Sequence, residues 1–460
     1  MDAQARPDTL MYDIAIVTYS PAHLAVEGRL TTAGRGTVTL AAPPSSRPAG
    51  TDVEGFSATD DFGRPLRVRA IHDGFETDAP AGAVRFRYRL DIQNAVALGA
   101  TGAGLDAEHL YAVSRAVFVA PDPGDYRAAG RPYPLLLVHF ATPPGWRVVT
   151  GWGVGRDVYD PPSGEALLGT TIAAAPDYRV YRDTAGGAPF VLGIRGQRYF
   201  ADSALLRVIA ASLRAAEQTL GAVPVPRVTY TSDIGWKGRT SGSLQGTASI
   251  GLIWEPGELL ERPRIHDLFH ETLHLWFGGA MDAGRWWTEG VTDYVAARLE
   301  SQWSGHPDDL AALCYESLRN YGRIGHDTSM TMDEEQHLGV IGDNTSLLVY
   351  RKGMLAGLLL DAAIRRGSEG RVSLDDVARR MLTLAAGRPG HHVTEADIRA
   401  AVLAVGGADA DRVWTHVIDG TALIEGAEVT DALRVVTGLP VAEPPPVAKE
   451  QKVLIGHPKP

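Results

Sequence analysis

The segment from His266 to Asp293 restricts the fold and chemistry of this chain more than any other. Within it, residues 270–274 read H-E-T-L-H, an H-E-x-x-H pattern. Residues four apart lie on one face of an α-helix, so the imidazoles of His270 and His274 point the same way, with Glu271 beside them. Two neutral imidazoles can share one metal ion, and a neighbouring carboxylate can reach a metal-bound water without being a ligand. The pattern therefore predicts a zinc hydrolase site on a helix.

The residues around the motif favour a metal site over a chance match. The helix is largely apolar, with Leu268, Phe269, Leu273, Leu275 and Trp276 around the motif. Buried histidine and glutamate without partners would cost a few kcal/mol, whereas a metal satisfies all of them together. Gly278-Gly279 is predicted to end this helix.

A second helical pattern opens near Trp286 and places Glu289 in its first turn. A catalytic zinc needs three protein ligands and an open position for water, and Glu289 completes that set with the two histidines. His266 lies one turn before His270 on the same face, but Glu289 in its E-G-x-T setting is the better third ligand.

The two segments HETLHLWFGG and WWTEGVTDYVAARL resemble the gluzincin zinc aminopeptidases. The Pro143-to-Trp146 segment (P-P-G-W), which follows a β-rich region, resembles their glycyl aminopeptidase branch. The resemblance implies a peptidase with one Zn²⁺ per chain, held by His270, His274 and Glu289, with Glu271 as the catalytic base. One departure is that only 14 residues separate His274 from Glu289, fewer than is usual in the large aminopeptidases. The shortfall lies in a glycine-rich connection, which tolerates changes of length.

The same resemblance extends to a later segment, residues 347–353 (LLVYRKG), which is similar to the gluzincin Y-x-K-G segment. It implies that the hydroxyl of Tyr350 stabilises the oxyanion that forms during hydrolysis. Asp293 follows Glu289 by four residues and is predicted to accept the outer N–H of a zinc-bound histidine. The alternative for Asp293 is a solvated surface carboxylate.

Residues 242–246 determine which substrate is expected. Related peptidases carry G-A-M-E-N or G-G-L-E-H on an edge strand beside the cleft, and the glutamate there binds the free α-ammonium of the substrate. The present chain has Gly242, Ser243, Leu244, Gln245 and Gly246 at this place. A neutral amide still accepts a hydrogen bond but loses its charge-assisted part, about 1–2 kcal/mol.

Four functions follow from these residues. The favoured one is an aminopeptidase acting on small N-terminal residues such as Gly or Ala. Because Gln245 is neutral, an endopeptidase and a non-peptide zinc hydrolase of the epoxide-hydrolase kind stay open. A non-catalytic scaffold would be expected to lose the base or a ligand, yet Glu271, Tyr350 and all three ligands are present.

The periodicity of the chain predicts an α+β fold class, with an N-terminal all-β domain, a thermolysin-like α/β catalytic domain and a C-terminal helical domain. Residues 83–90 alternate with period two, whereas residues 203–220 repeat with period 3.6, and residues 244–254 are predicted to form one strand. The predicted divisions are a flexible N-terminus at 1–10, the β domain at 11–195, the catalytic domain at 196–305, the helical domain at 306–440 and an extended Pro-rich tail at 441–460.

Composition limits the partners. The net charge is −11 and no basic block is present, which argues against nucleic acid. No apolar run reaches the length of a membrane span. Cys314 is the single cysteine, so an internal disulfide is ruled out.

The expected partner is a peptide or small amide substrate. Residues 2–6 are compatible with the end left by a removed signal, so the compartment stays open between periplasmic or secreted and cytoplasmic, and the oligomeric state is not indicated.

Overall fold

The computed structural model describes residues 8–32, 36–41, 52–92, 102–235, 241–246, 248–324, 343–420 and 422–442. The chain divides into two compact units, residues 1–279 and residues 280–460. Residues 1–7 of the predicted flexible N-terminus and residues 443–460 of the predicted tail lie outside the described residues. The first strand already begins at Thr9, inside the segment predicted to be flexible. The predicted divisions at 195 and 305 stay predictions.

The first unit is built mainly of β-strands. They are β1 Thr9–Tyr19, β2 Ala22–Thr32, β3 Gly36–Ala41, β4 Asp52–Asp60, β5 Val68–Ile71, β6 Gly74–Ala79, β7 Gly82–Asp91, β8 Ala103–Leu105, β9 Leu110–Val113, β10 Leu135–Ala141, β11 Arg147–Thr150, β12 Gly153–Val154, β13 Val158–Tyr159, β14 Thr171–Ala175, β15 Arg179–Ala185, β16 Ala188–Ile194, β17 Val228–Ile234, β18 Ser241–Gln245 and β19 Ser249–Trp254. The α-helices in the described part of this unit are α1 Pro123–Ala128, α2 Gly164–Leu168, α3 Asp202–Leu220 and α4 Arg262–Leu273.

The strands up to β14 form three sheets around one apolar core. The sheets have the orders β13-β10-β1-β2-β7-β4, β12-β11-β14-β9-β8 and β3-β6-β5. In β7, Val84, Phe86, Tyr88 and Leu90 are buried and the arginines between them are exposed, which confirms the alternation expected from the sequence. This part of the prediction, a β-rich N-terminal region, is confirmed.

The fourth sheet, with the order β15-β16-β17-β19-β18, places the functional motifs of this unit. Strands β16, β17 and β19 are parallel, and β18 runs antiparallel to β19 along the edge. The prediction of one strand over 244–254 is wrong, because β18 ends at Gln245 and β19 begins at Ser249. Gly246 has φ +58° and reverses the chain there, in a conformation that glycine adopts without strain.

Helix α4 follows this hairpin and carries the H-E-x-x-H residues. Its predicted end at Gly278-Gly279 is wrong, since the helix ends at Leu273 and His274 is its C-cap. The chain tightens there, as the amides of Leu275 and Trp276 donate to the carbonyls three residues earlier at 3.1 Å and 2.9 Å. His274 keeps helical dihedral angles, so the spacing from His270 is preserved.

The second unit is helical in its described part, as predicted for the C-terminal region. A π-helical turn covers Trp286–Val291. The helices are α5 Thr292–Ser304, α6 Asp308–Ile324, α7 Asp343–Gly367, α8 Leu374–Ala386, α9 Glu395–Val413 and α10 Gly426–Thr437. A buried network ties three of them together, because Asp361 of α7 accepts hydrogen bonds from Tyr294 of α5 and from the amide of Leu374 at the start of α8. No helix in the described residues is long and apolar enough to cross a membrane.

Candidate metal centre

Helix α4 is held at its first turn by Arg264, which is almost fully buried. Its guanidinium donates to the carbonyl of Ile253 at 3.0 Å and to Asp267 at 2.6 Å, and it lies over the ring of Trp254. The contacts with Ile253 and Trp254 fasten the start of α4 to the end of β19. A buried arginine with several partners restricts the rotation of the helix about its axis.

A second anchor lies within the motif itself, at Thr272. Its hydroxyl is 2.9 Å from the hydroxyl of Ser212 on α3 and 3.0 Å from the hydroxyl of Tyr230 on β17. All three side chains are buried. Because Thr272 lies two residues from each histidine, it faces away from them and turns His270 and His274 to the other side of the helix.

The two histidines of the motif lie close together on this side. Their ring centroids are 4.5 Å apart, and the two residues are 7% and 9% exposed. Nδ1 of His274 is 2.9 Å from the carbonyl oxygen of Phe277. A carbonyl oxygen only accepts, so Nδ1 carries the proton and Nε2 presents its lone pair.

Three ligand atoms converge at this point, one each from His270, Glu271 and His274, all within 4.8 Å of one another. His266 is not one of the three, and its ring centroid is 6.4 Å from that of His270. The donor set fits zinc, because imidazole nitrogen is a ligand that zinc prefers and that magnesium and calcium do not. The orientation of His274 by a backbone carbonyl is the arrangement typical of a metal-bound histidine.

The edge strand β18 passes directly over Glu271. A Cβ atom placed on Gly242 would lie 2.6 Å from Cγ of Glu271 and 3.0 Å from a carboxylate oxygen. Only glycine therefore leaves room for this side chain as it stands. The contact places Gly242, the first of the predicted substrate-binding residues, against the predicted base within the first unit.

The side chains of Gln245 and Ser243 lie on the same side of β18 and are hydrogen-bonded to each other. Nε2 of Gln245 donates to Oγ of Ser243 at 2.8 Å, and Gln245 is 3% exposed. This bond fixes the orientation of the amide and leaves its carbonyl oxygen as a hydrogen-bond acceptor. Gln245, at the place where related peptidases carry a glutamate, is therefore a buried and neutral hydrogen-bond acceptor with a fixed orientation.

A buried polar network lies at the end of β17, and the sequence analysis did not identify it. Asp233 at the end of β17 accepts hydrogen bonds from Tyr178 at 2.8 Å and from Arg195 at 2.5 Å. Burial raises the pKa of Tyr111 well above its ordinary value, and the charges of Asp233 and Glu271 raise it further. Tyr111 therefore keeps its proton beside Glu271 as a neutral hydroxyl.

Glu289 belongs to the second unit and lies in the π-helical turn, a rare conformation that is frequent at functional sites. This turn packs on α7 through two glycines. A Cβ atom on Gly290 would lie 2.4 Å from Cα of Gly353, and one on Gly353 would lie 2.8 Å from the carbonyl oxygen of Trp286. The glycines that follow Glu289 and Lys352 in the two motifs are therefore explained by close backbone contact.

Tyr350 and Asp293 also belong to the second unit. Tyr350 lies on α7, one turn before Gly353, and is partly exposed, while Lys352 beside it is fully buried. Asp293 is 7% exposed, so it is not the solvated surface carboxylate that the sequence left as an alternative. Its predicted role in orienting a histidine stays a prediction.

The sequence matches no protein-family model and no curated protein. The structure does match solved structures. An aminopeptidase N family protein from Idiomarina loihiensis matches with a TM-score of 0.76 and 16% identity, over 93% of this chain and 78% of that one. A mutant M1 zinc metallopeptidase from Deinococcus radiodurans matches with a TM-score of 0.58 and 14% identity, over 91% and 96% of the two chains. A mutant of the Deinococcus enzyme bound to a Tyr-Ser-Ala substrate matches with a TM-score of 0.57 and 14% identity, over the same 91% and 96%.

The chain has the fold of the M1 zinc metallopeptidases. The coarse resemblance to gluzincins is thereby supported at the level of fold, and the narrower resemblance to glycyl aminopeptidases stays a prediction. Within this M1 fold, sequence analysis missed the anchor at Thr272 and the glycine contact between Gly290 and Gly353. A signal for the first was present, since Thr272 is a polar residue on the core-facing side of an apolar helix.

Proposed function

We propose that this chain is a zinc-dependent peptidase with one catalytic Zn²⁺ per chain, bound by His270, His274 and Glu289. The observation that carries the proposal is the convergence of two imidazoles, that of His274 oriented by a backbone carbonyl, and the Glu271 carboxylate beside an edge strand. Bound zinc supplies a polarised water and polarises the substrate carbonyl. The peptide-bound Deinococcus neighbour supports a peptide as the class of substrate.

The roles of the other residues follow from their chemistry. Glu271 takes a proton from the attacking water and passes it to the leaving amine. Tyr350 donates a hydrogen bond to the oxyanion of the tetrahedral intermediate. Asp293 orients a histidine ligand by accepting its outer N–H. Strand β18 aligns the substrate backbone by adding it to the edge of the sheet, so that residues 242–246 bind the substrate.

Gln245 determines the kind of peptidase that we propose. Its carbonyl oxygen, oriented by Ser243, accepts a hydrogen bond from an N–H group at the amino end of the bound residue. An aminopeptidase acting on small N-terminal residues such as Gly or Ala is the first candidate. An endopeptidase is the second, because a neutral acceptor also accepts a hydrogen bond from the N–H of a peptide bond and does not require an ammonium group.

Hydrolysis of a small substrate panel tests this function. The panel comprises glycine and alanine anilides with free amino ends and the same compounds with N-acetyl groups. We expect the free-amine anilides to be cleaved, and chelation to abolish that cleavage because the water loses its activating ion. Release of aniline is measured with and without chelator, and after zinc is restored.

The outcomes separate the candidates. Chelator-sensitive cleavage of the acetylated compounds would establish an endopeptidase and contradict the aminopeptidase. Cleavage that persists without metal would contradict a zinc peptidase of either kind. A lack of cleavage in the zinc-loaded protein would also contradict the peptidase and favour a substrate that is not a peptide.

Replacing Gln245 with glutamate is expected to increase the preference for free amino ends. A carboxylate adds a charge-assisted bond to an ammonium group, about 1–2 kcal/mol, which corresponds to about 5- to 30-fold in the ratio of kcat/KM for free and acetylated substrates. The ratio is measured for wild type, Gln245→Glu and the control Gln218→Glu, an exposed position on α3. An unchanged ratio in folded Gln245→Glu would show that residue 245 does not bind the amino end.

A further inference from the structure

Three side chains in the first unit converge on the six-stranded sheet, away from the motif helix. His23 lies on β2, Glu54 on β4 and Asp91 on β7. Each offers one ligand atom, and these three atoms lie within 4.8 Å of one another. The group has one imidazole and two carboxylates and is not used by the proposed peptidase chemistry.

The strand register explains why these residues meet. His23 pairs with Asp91 across β2 and β7, and Glu54 pairs with Arg89 across β4 and β7. Directly paired residues, and residues two apart on one strand, project from the same face of a sheet. The core residue Leu90 projects from the opposite face. The three ligand side chains therefore share the outer face of three neighbouring strands.

The ring of His23 is oriented as a ligand. Its Nδ1 is 3.3 Å from the carbonyl oxygen of Pro21 and 3.3 Å from Oγ1 of Thr18. The Thr18 hydroxyl itself donates to the carbonyl oxygen of Pro21 at 2.6 Å. The hydroxyl proton of Thr18 is used in that bond, so both the carbonyl oxygen and Oγ1 accept from His23. Nδ1 therefore carries the proton and Nε2 presents its lone pair. Nε2 is 3.9 Å from a carboxylate oxygen of Glu54. A backbone carbonyl that fixes a histidine in this way is typical of metal-bound imidazole.

We propose that His23, Glu54 and Asp91 form a second site for a divalent transition metal, with Zn²⁺ as the best fit to one imidazole and two carboxylates. Ligand atoms that share one zinc lie roughly 3.4 Å apart, given bonds of about 2.0–2.1 Å in a tetrahedron. The gap of 3.9 Å between His23 and Glu54 closes by a small movement of the Glu54 side chain, which is 51% exposed. The ion would link β2, β7 and β4 and stabilise the sheet.

Counting bound zinc in the full chain tests this site. The protein is dialysed against buffered free zinc, and zinc per chain is measured by elemental analysis. We expect His23→Ala to bind one zinc fewer than wild type. The matched control is His139→Ala, which removes an exposed histidine of the same sheet that meets the single carboxylate of Asp13 at 2.9 Å. This control should bind as much zinc as wild type.

The variant His270→Ala separates the two proposed metal sites. If both exist, His23→Ala and His270→Ala each lose one zinc and the double variant loses both. If no zinc binds at the H-E-x-x-H motif, His23→Ala should still bind one zinc fewer than wild type. The two proposals therefore fail independently. In the His270→Ala background, zinc should raise the unfolding temperature, and in the double variant it should not, because a ligand bound only by the folded state stabilises it.

Equal zinc in wild type and His23→Ala would overturn the second site. An equal loss in His139→Ala would also overturn it, because the zinc would then be adsorbed at exposed histidines in general. If His23→Ala does not fold in chelator, as judged by circular dichroism, Asp91→Asn decides the question, since it keeps the shape of the side chain and removes the carboxylate ligand.

Discussion

Replacing Glu271 with glutamine is expected to lower kcat for the cleaved anilide by about 10²- to 10⁴-fold, the range usual for loss of a general base. Glutamine has the same shape but cannot take a proton from water. It is not one of the three proposed ligands, so the zinc content should equal that of wild type. Steady-state kinetics and elemental analysis on the same preparation measure both quantities.

The control for this variant is Glu261→Gln. Glu261 is the N-cap of the same helix, is exposed, and makes no side-chain capping bond, so its replacement should leave kcat unchanged. Turnover preserved in Glu271→Gln would contradict the role of Glu271 as the base. Loss of zinc together with turnover would instead show that Glu271 is a ligand, which is compatible with its presence in the group of converging atoms.

The features that depend on local spacing could be predicted from the sequence. The spacing of His270 and His274 placed both rings on one helix face, and the alternation in β7 placed its aromatic residues in the core. In both cases the geometry of one element determines the result, so no tertiary contact has to be known.

The ends of elements were less predictable, because tertiary contacts determine them. Gly246 turns the predicted strand 244–254 into a hairpin where the backbone packs on Gly169. The α4 helix ends at Leu273 rather than at Gly278 because its last turn tightens. The π-helical turn around Glu289 accompanies the backbone contact between Gly290 and Gly353, residues far apart in sequence.

Contacts between distant residues could not be read from the sequence at all. Thr272 acquires its role only when α3 and β17 bring Ser212 and Tyr230 to it. The second proposed metal site has the same origin, because His23, Glu54 and Asp91 share no motif and meet through strand pairing. A residue pattern identifies a site on one helix much more readily than a site spread over three strands.

Replacing Gly242 with alanine is expected to lower kcat by about 10²-fold without loss of zinc. The added Cβ would lie 2.6 Å from Cγ of Glu271, whereas carbon atoms in contact stay about 3.5–4.0 Å apart, so the glutamate must move by about 1 Å. A displacement of that size at a catalytic group costs about 10²-fold in rate. Gly242 does not have a positive φ, so the backbone itself tolerates alanine. Kinetics and zinc content are measured as for Glu271→Gln.

Two comparisons show whether Gly242→Ala acts through Glu271. Gly36→Ala is the matched control, since Gly36 also lies in a strand and its Cβ would meet nothing within 4 Å, so kcat should not change. In the double variant Gly242→Ala with Glu271→Gln, the loss should be close to that of Glu271→Gln alone, because two changes that act on one group are not additive. Additive losses, or an unchanged kcat in Gly242→Ala, would show that β18 does not position the base. Non-additive losses in kcat would show that the edge strand β18 acts on proton transfer, because the space beside Gly242 then determines the position of the Glu271 carboxylate.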